Sequence, residues 1–481
     1  MSTHPIFIDG AWVPGADVTL NENPSDLDAP LGEYGMASLA QTDDAIAAAA
    51  AAAVTWGRSP AAERATLLEG VAARLLARRD ELGEQLAREE GKTRAEGIGE
   101  VTRAAQTFSY YANHLFTPQG EVLASRRQDT SIHTRRKPLG VVGIIAPWNF
   151  PLAVPSWKIA PALAAGNTVV FKPAEAVPAS AASLAEIIAD AGAPAGVFNL
   201  VTGRGSVVGE RFATHPDVAA VSFTGSTRVG RHLLATAHAT GSKRVQAEMG
   251  GKNPLVVAAD ADLDLAVRVA IDSCFGATGQ RCTASSRLIV DSAFHDDFVR
   301  RMTAATAAIR VGHALDPATT MGPVATHAQL ETDLAAITLG QREGAELLTG
   351  GALLERSTRG YYLEPTLFAG GQSSMRLNQD EIFGPVACII EADGIEHAIE
   401  IANDVPYGLS AGIVTTGLAT SERFQAEVRA GLVSVNASPA VSELHAPFGG
   451  VGASSYGPRE QGTRAFDFYT TTSSHFVSFG A

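Results

Sequence analysis

The sequence predicts an α/β protein: a Rossmann-like layered sheet followed by a second α/β unit. Three observations carry this. Short β-rich runs alternate with helical runs between about residues 140 and 240. A second alternating series begins after Gly250. Glycine-containing turns stand where strands pass into helices, as in "FTGSTRVG". Alternation of this kind implies parallel strands joined by helical crossovers.

Residues 43–116 read as helical, because "TLLEGVAARLLARRDELGEQLAREEG" repeats apolar residues at intervals of three and four. "EVLASRRQDTSIHTRRKPLG" is polar and extended, and "VVGIIAPWNF" is a buried strand. "NTVVFKPAE", "GVFNLVTG" and "VAAVSFTG" are strands, separated by the helices "ASAASLAEIIADAG" and "SVVGERFATH". The helix "STRVGRHLLATAHATG" closes the first series. The second runs from "NPLVVAA" through a helix containing Cys274 to "SSRLIVD" and a long helix. The final "AFDFYTTTSSHFVSF" reads as one or two strands. There is no internal repeat.

With about 150 residues per domain as a guide, 481 residues make roughly three domain-sized units. A net charge of −14 argues against a nucleic-acid surface. Only Cys274, Cys282 and Cys388 are present, with no CxxC spacing, which argues against a disulfide scaffold or a zinc site. The start "MSTHPIFIDGAW" has no signal-peptide pattern. The longest apolar run, "AIAAAAAAAVTW", is too short to span a bilayer. The expectation is a cytoplasmic protein with no metal, membrane or nucleic-acid partner.

"TGRGSVVG" and "FTGSTRVG" place backbone N–H groups where a phosphate can meet a helix start, although tight turns alone account for either. Four further segments are more specific in combination. "APWNFP" ends a strand at Asn149, "FKPAE" ends another with Lys172 and Glu175, "EMGGKNP" carries Glu248, and "GQRC" carries Cys282. Together with "EIFGPV", "NDVPYGLSAGIVT" and "PFGG", in that order, they make the chain resemble the aldehyde dehydrogenase superfamily over essentially its whole length. The resemblance implies that family's fold: a Rossmann-like cofactor domain (1–117 and 138–248), an α/β catalytic domain (249–447), and a small β oligomerisation element with the C-terminal return (118–137 and 448–481).

The residue types suit the chemistry. An aldehyde yields a hydride readily only once its carbon is tetrahedral, and a thiolate achieves that by adding to the carbonyl. The resemblance implies Cys282 as nucleophile. It gives Asn149, with the cysteine's own N–H, as the oxyanion donors. Glu248 is then the base that activates water against the thioester. Cys274 and Cys388 are expected to be core residues. For the cofactor, NAD or NADP, the resemblance implies Lys172 and Glu175 at the adenine ribose. It places Trp148, Gly225, Ser226 and Gly230 near the pyrophosphate, and Glu381 with Phe383 at the nicotinamide ribose. A carboxylate such as Glu175 accepts from two ribose hydroxyls and repels a 2′-phosphate, which favours NAD. Arg204 offers a phosphate partner instead.

At subfamily level, "HAPFGGVGASSYGPREQGTRAFDFYTT" and "GQRCTASSR" look most like 2-oxoglutarate semialdehyde (2,5-dioxopentanoate) dehydrogenases. Arg103 falls on the family helix that walls the aldehyde tunnel, and Trp157 and Ser442 match other lining positions. A buried arginine needs an anionic partner, so Arg103 is expected to select an acidic semialdehyde unless it faces solvent or pairs with Glu100. A broad-range aldehyde dehydrogenase, an enzyme acylating coenzyme A, and a non-catalytic binding protein on this fold are the alternatives. The resemblance also implies a homodimer or homotetramer.

Overall fold

Burial separates the two main sheets. The strands Val141–Ile145 and Thr168–Lys172 are buried at every position, and Val218–Thr224 at nearly every one, as strands covered on both faces must be. In a computed structural model, which describes residues 3–117, 119–241 and 243–480, they form the middle of an 8-stranded sheet. The order is Ser455–Tyr456, Arg244–Glu248, Val218–Thr224, Val141–Ile145, Thr168–Lys172, Phe198–Leu200, Ile6–Ile8, Ala11–Val13. Its inner strands are parallel, and its outer pairings antiparallel. A 7-stranded sheet holds Asn253–Val257 beside Ser285–Asp291 and Ser410–Val414.

The helical stretch divides into Leu39–Trp56, Ala61–Ala77, Arg79–Glu90 and Arg94–His114. The last begins with a capping box, in which the Thr93 hydroxyl accepts from the Glu96 N–H and the Glu96 carboxylate accepts from the Thr93 N–H. It buries Val101, Ala104, Ala105 and Phe108 against the first sheet's core. That orientation leaves Gly99 and Arg103 facing the space between the sheets.

Two readings change. The "AFDFY" segment is a short helix, Ala465–Tyr469, and only Thr470–Ser478 is a strand. The aromatic residues favour a strand on propensity, yet Phe466, Phe468 and Tyr469 gain burial by turning helically into the core. "SVVGERFATH" opens as a π-helical turn, Gly205–Gly209, before its α-helix Glu210–Thr214. The final strand pairs antiparallel with Thr130–Pro138 in a 3-stranded sheet. Among the described residues no helix is long and apolar enough to cross a membrane.

Candidate active site

The carboxyl ends of the parallel strands are where open α/β sheets bind ligands. Here the turns after Val141–Ile145 and Val218–Thr224 face the loop before Ser285–Asp291 across a cavity of about 560 Å³. The cavity brings together Cys282, Asn149, Trp148, Gly225, Ser226, Glu381, Phe383, Arg103, Trp157 and Ser442. Glu248, Lys172, Glu175 and Gly230 are not in its wall.

Cys282 follows an unusual turn. Ala277, Thr278 and Gly279 are left-handed in succession, with φ of 50°, 59° and 69°. For a residue with a Cβ such a conformation costs about 1–3 kcal/mol, so the surroundings must hold it. Thr278 donates its hydroxyl to Gly322 O (3.2 Å), and the Ala325 N–H donates to Gln280 Oε1 (2.9 Å). A Cβ on Gly279 would lie 2.3 Å from Gly384 O, so only glycine permits that backbone contact. After the turn, Asn253 Nδ2 donates to Cys282 O (2.8 Å). The Cys282 thiol is half-buried. Burial pushes its pKa up to about 12, with the charges of Glu248 and Glu381 acting in the same direction.

Asn149 is buried, and its Nδ2 donates to Gln280 O at 2.8 Å. The oxyanion candidate is thereby tied to the loop that carries Cys282. Its own carbonyl accepts from Lys92 Nζ (2.7 Å), which also pairs with Glu100 (2.6 Å). Glu100 in turn accepts from the N–H groups of Leu152 and Ala153, at the start of the helix Ala153–Ala164. Sequence reasoning missed this buried support. Its one visible signal is the presence of Lys92 just before a helix that carries Glu96 and Glu100 one turn apart, beside buried Val101 and Ala104.

Glu248 ends the strand Arg244–Glu248 and is buried. Its Oε2 accepts from Ser455 Oγ (2.5 Å), and its Oε1 has no hydrogen-bond partner among the described residues. Burial, then the nearby Glu460 carboxylate, holds the Glu248 carboxyl well above the usual range. Glu460 accepts from Trp157 Nε1 (2.6 Å) and from the buried Lys158 ammonium. Trp157 therefore lines the cavity as an anchored wall, packed on Phe448 at 5.3 Å between ring centroids.

The cofactor candidates divide into two groups. Glu381 lies on the double glycine after Met249: its Oε1 accepts from the Gly251 N–H (3.0 Å), and a Cβ on Gly250 would fall 2.1 Å from Oε2. Burial raises the Glu381 carboxyl to about 7, against the pull of that N–H and of Lys252. Trp148 and Phe383 meet edge to face at 5.4 Å. Further out, the Glu175 carboxylate accepts from the Gly205 N–H (3.2 Å), and buried Lys172 donates to Pro173 O. Ser226 caps the helix Thr227–Ala239 through the Val229 N–H. Gly230 lets that helix approach Met249, whose Sδ would be 2.5 Å from a Cβ there. A glycine-opened helix start, a shielded carboxylate at Glu381 and a held carboxylate at Glu175 fit a nicotinamide dinucleotide. Arg204 is exposed and stands 3.9 Å from Asp17.

Within the cavity wall, Arg103 donates from Nη2 to Ser442 O (2.6 Å) and lies 3.9 Å from Glu443. Its partners are thus the Ser442 carbonyl and the Glu443 carboxylate, and Glu100 is occupied by Lys92. Arg281, next to the thiol, places a second guanidinium in the same wall, 3.6 Å from Glu96. Its signal was its adjacency to Cys282 in "GQRC".

Residues 12–475 match the aldehyde dehydrogenase family. The chain is 44% identical over 480 residues to the alpha-ketoglutaric semialdehyde dehydrogenase of Bacillus subtilis, covering 99% of this chain and 98% of that one. It is 41% identical over 466 residues to the 2,5-dioxopentanoate dehydrogenase of Saccharolobus solfataricus, covering 95% and 96%. Among solved structures, the NAD-dependent aldehyde dehydrogenase from Sinorhizobium meliloti superposes with a TM-score of 0.96 at 35% identity, covering 100% of this chain and 95% of that chain.

Proposed function

The chain belongs to the aldehyde dehydrogenase family, and from that premise we propose that it oxidises an acidic semialdehyde, of the 2-oxoglutarate semialdehyde class, to the dicarboxylate. The observation that carries this reading is the pair of guanidiniums, Arg103 and Arg281, in the wall that also holds Cys282. A carboxylate or 2-oxo acid group forms charge-assisted hydrogen bonds to such groups. The relatives that act on this aldehyde support it.

In this reading Cys282 gives up its Sγ proton to solvent, and the thiolate adds to the aldehyde carbon. The side-chain amide of Asn149 and the Cys282 N–H donate to the oxyanion. NAD(P), when bound, supplies the hydride acceptor, held by Trp148, Ser226, Glu381 and Phe383 on one side and Lys172 with Glu175 on the other. Water then attacks the thioester carbon, Glu248, rotated away from Ser455, accepts its proton, and the C–S bond breaks to release the carboxylate and return the Cys282 thiolate. We assign the 8-stranded sheet to the cofactor and the 7-stranded sheet to the nucleophile. The strand Thr470–Ser478 sits at the edge of its sheet with Phe476 70% exposed, and an unpaired apolar edge of this kind invites a second copy. A homodimer or a dimer of dimers follows, and three free thiols fit the cytoplasm.

Reduced-cofactor absorbance with acidic, aliphatic and aromatic aldehydes tests the reading. The acidic aldehyde should show the highest kcat/KM. Arg103→Met should raise KM for it about 30-fold or more, as for a charged partner lost from a buried pair, and leave a neutral aldehyde of similar length within a few fold. Equal effects on both would remove Arg103 from substrate recognition.

NAD is the preferred cofactor here, because Glu175 opposes a 2′-phosphate. Glu175→Ala should shift the ratio of kcat/KM toward NADP by roughly tenfold, the loss of about 1.4 kcal/mol of discrimination. An unmoved ratio would place Glu175 away from the 2′ position.

A further inference from the structure

We propose that Glu96 is a positioning residue for the nucleophile: one carboxylate, shared between the first turn of the helix Arg94–His114 and the backbone of Ala277, holds the left-handed turn that presents Cys282. The inference rests on Cys282 being the nucleophile and concerns a residue that no step of the proposed reaction uses.

The two oxygens of Glu96 serve different elements. Oε2 accepts from the Thr93 N–H (2.9 Å) and the Thr93 hydroxyl (2.8 Å), which completes the helix cap. Oε1 accepts from the Ala277 N–H at 2.8 Å, across 181 residues of sequence. Ala277 opens the left-handed run Ala277–Thr278–Gly279. Its N–H, at the entry to that run, is thereby tied to the helix. The same oxygen stands 3.6 Å from Arg281 Nη2, and the Arg281 guanidinium lies over Gly276, where a Cβ would meet it at 2.7 Å. The turn is thus held at its start by Glu96, in its middle by Gly322 and after it by Ala325. Of these holds only Glu96 is charged, and a charge-assisted bond is the stronger kind.

The chemistry requires a carboxylate. Two backbone N–H groups on separate elements need an acceptor each. A glutamine offers one carbonyl oxygen and must turn its NH₂ toward the other donor. Asn149 is bonded to Gln280 O, inside the same loop, so a loosened turn disturbs the thiol and the oxyanion donor together. The loss should therefore appear in acylation and kcat, with little change in KM.

Full-length Glu96→Ala, Glu96→Gln and Thr93→Ala enzymes separate this role from helix stability. The readouts are rapid-mixing acylation, steady-state kcat and KM, Tm, and iodoacetamide labelling of Cys282 located by peptide mass. Glu96→Ala should lower the acylation rate about 10- to 100-fold, the scale of a misplaced reacting group, with KM within threefold and Cys282 still labelled in full. Glu96→Gln should fall between it and the unsubstituted enzyme. Thr93→Ala should lower Tm and leave acylation within twofold. An acylation rate in Glu96→Ala equal to the unsubstituted enzyme's, or a Thr93→Ala loss as large, overturns the proposal. If Glu96→Ala does not fold, Glu96→Gln decides, and an unaltered acylation rate in it overturns the proposal equally. Turnover that persists after complete Cys282 labelling would instead overturn the nucleophile assignment.

Discussion

Cys282→Ala should abolish aldehyde oxidation, with kcat reduced on the order of 10⁴-fold or more, as when a covalent nucleophile is removed. No other thiol can replace it. Cys274 and Cys388 are 2% and 1% exposed, and burial raises their pKa to about 12 and about 11. Both are packed in apolar clusters, Cys274 with Phe275 and Phe298, Cys388 with Phe368 and Leu377. The substitution removes one sulfur from a half-buried position, so cofactor binding and Tm should persist. The measurement is reduced-cofactor absorbance at saturating aldehyde, with cofactor titration by calorimetry as the control for folding. Turnover within tenfold of the unsubstituted enzyme would end the assignment. The raised thiol pKa adds a second expectation. Acylation in the unsubstituted enzyme should quicken as pH rises, because a larger fraction of Cys282 is then thiolate.

The same residues show what a sequence reveals and what it hides. The strands around Val141–Ile145 and Thr168–Lys172 were legible because covered strands read as unbroken apolar runs. Ile6–Ile8 and Ala11–Val13 were not, since three residues carry no measurable period. The left-handed φ of Thr278 is invisible from its residue type, because the surroundings impose it. Lys92 and Glu96 read as ordinary charges on a helical stretch. Their partners stand 57 and 181 residues away, at Asn149 and Ala277. Arg103 was placed in the cavity wall by the family resemblance, but its bond to the Ser442 carbonyl was not foreseeable. Residue identity pointed to the candidate reacting groups, and long-range packing shows what holds them.

Glu248→Gln should separate the two halves of the reaction. Acylation needs a thiol, an oxyanion site and a hydride acceptor, none of which is Glu248. Hydrolysis needs a base. The variant should give a burst of reduced cofactor and then stall, with the steady rate down roughly 10²–10⁴-fold, the usual contribution of a general base. The burial of Glu248 also sets a pH dependence. Its carboxyl is held well above the usual range by burial and by Glu460, so it keeps its proton to higher pH than an exposed carboxyl does and cannot accept another while it keeps it. Raising the pH removes that proton, and hydrolysis of the thioester should accelerate. In the acyl-enzyme Cys282 has no proton to lose. The rising limb of the hydrolysis step therefore belongs to Glu248. Single-turnover hydrolysis, followed by quenching acylated enzyme at a series of pH values, isolates it. The limb should be present in the unsubstituted enzyme and absent in Glu248→Gln. A limb that survives in the variant, or a steady rate equal to that of the unsubstituted enzyme, would assign the base to another group. Glu460 is the nearest alternative, but its carboxylate is already committed to Trp157 and Lys158. Freeing it to act on water would break the contact that fixes the tryptophan wall of the cavity.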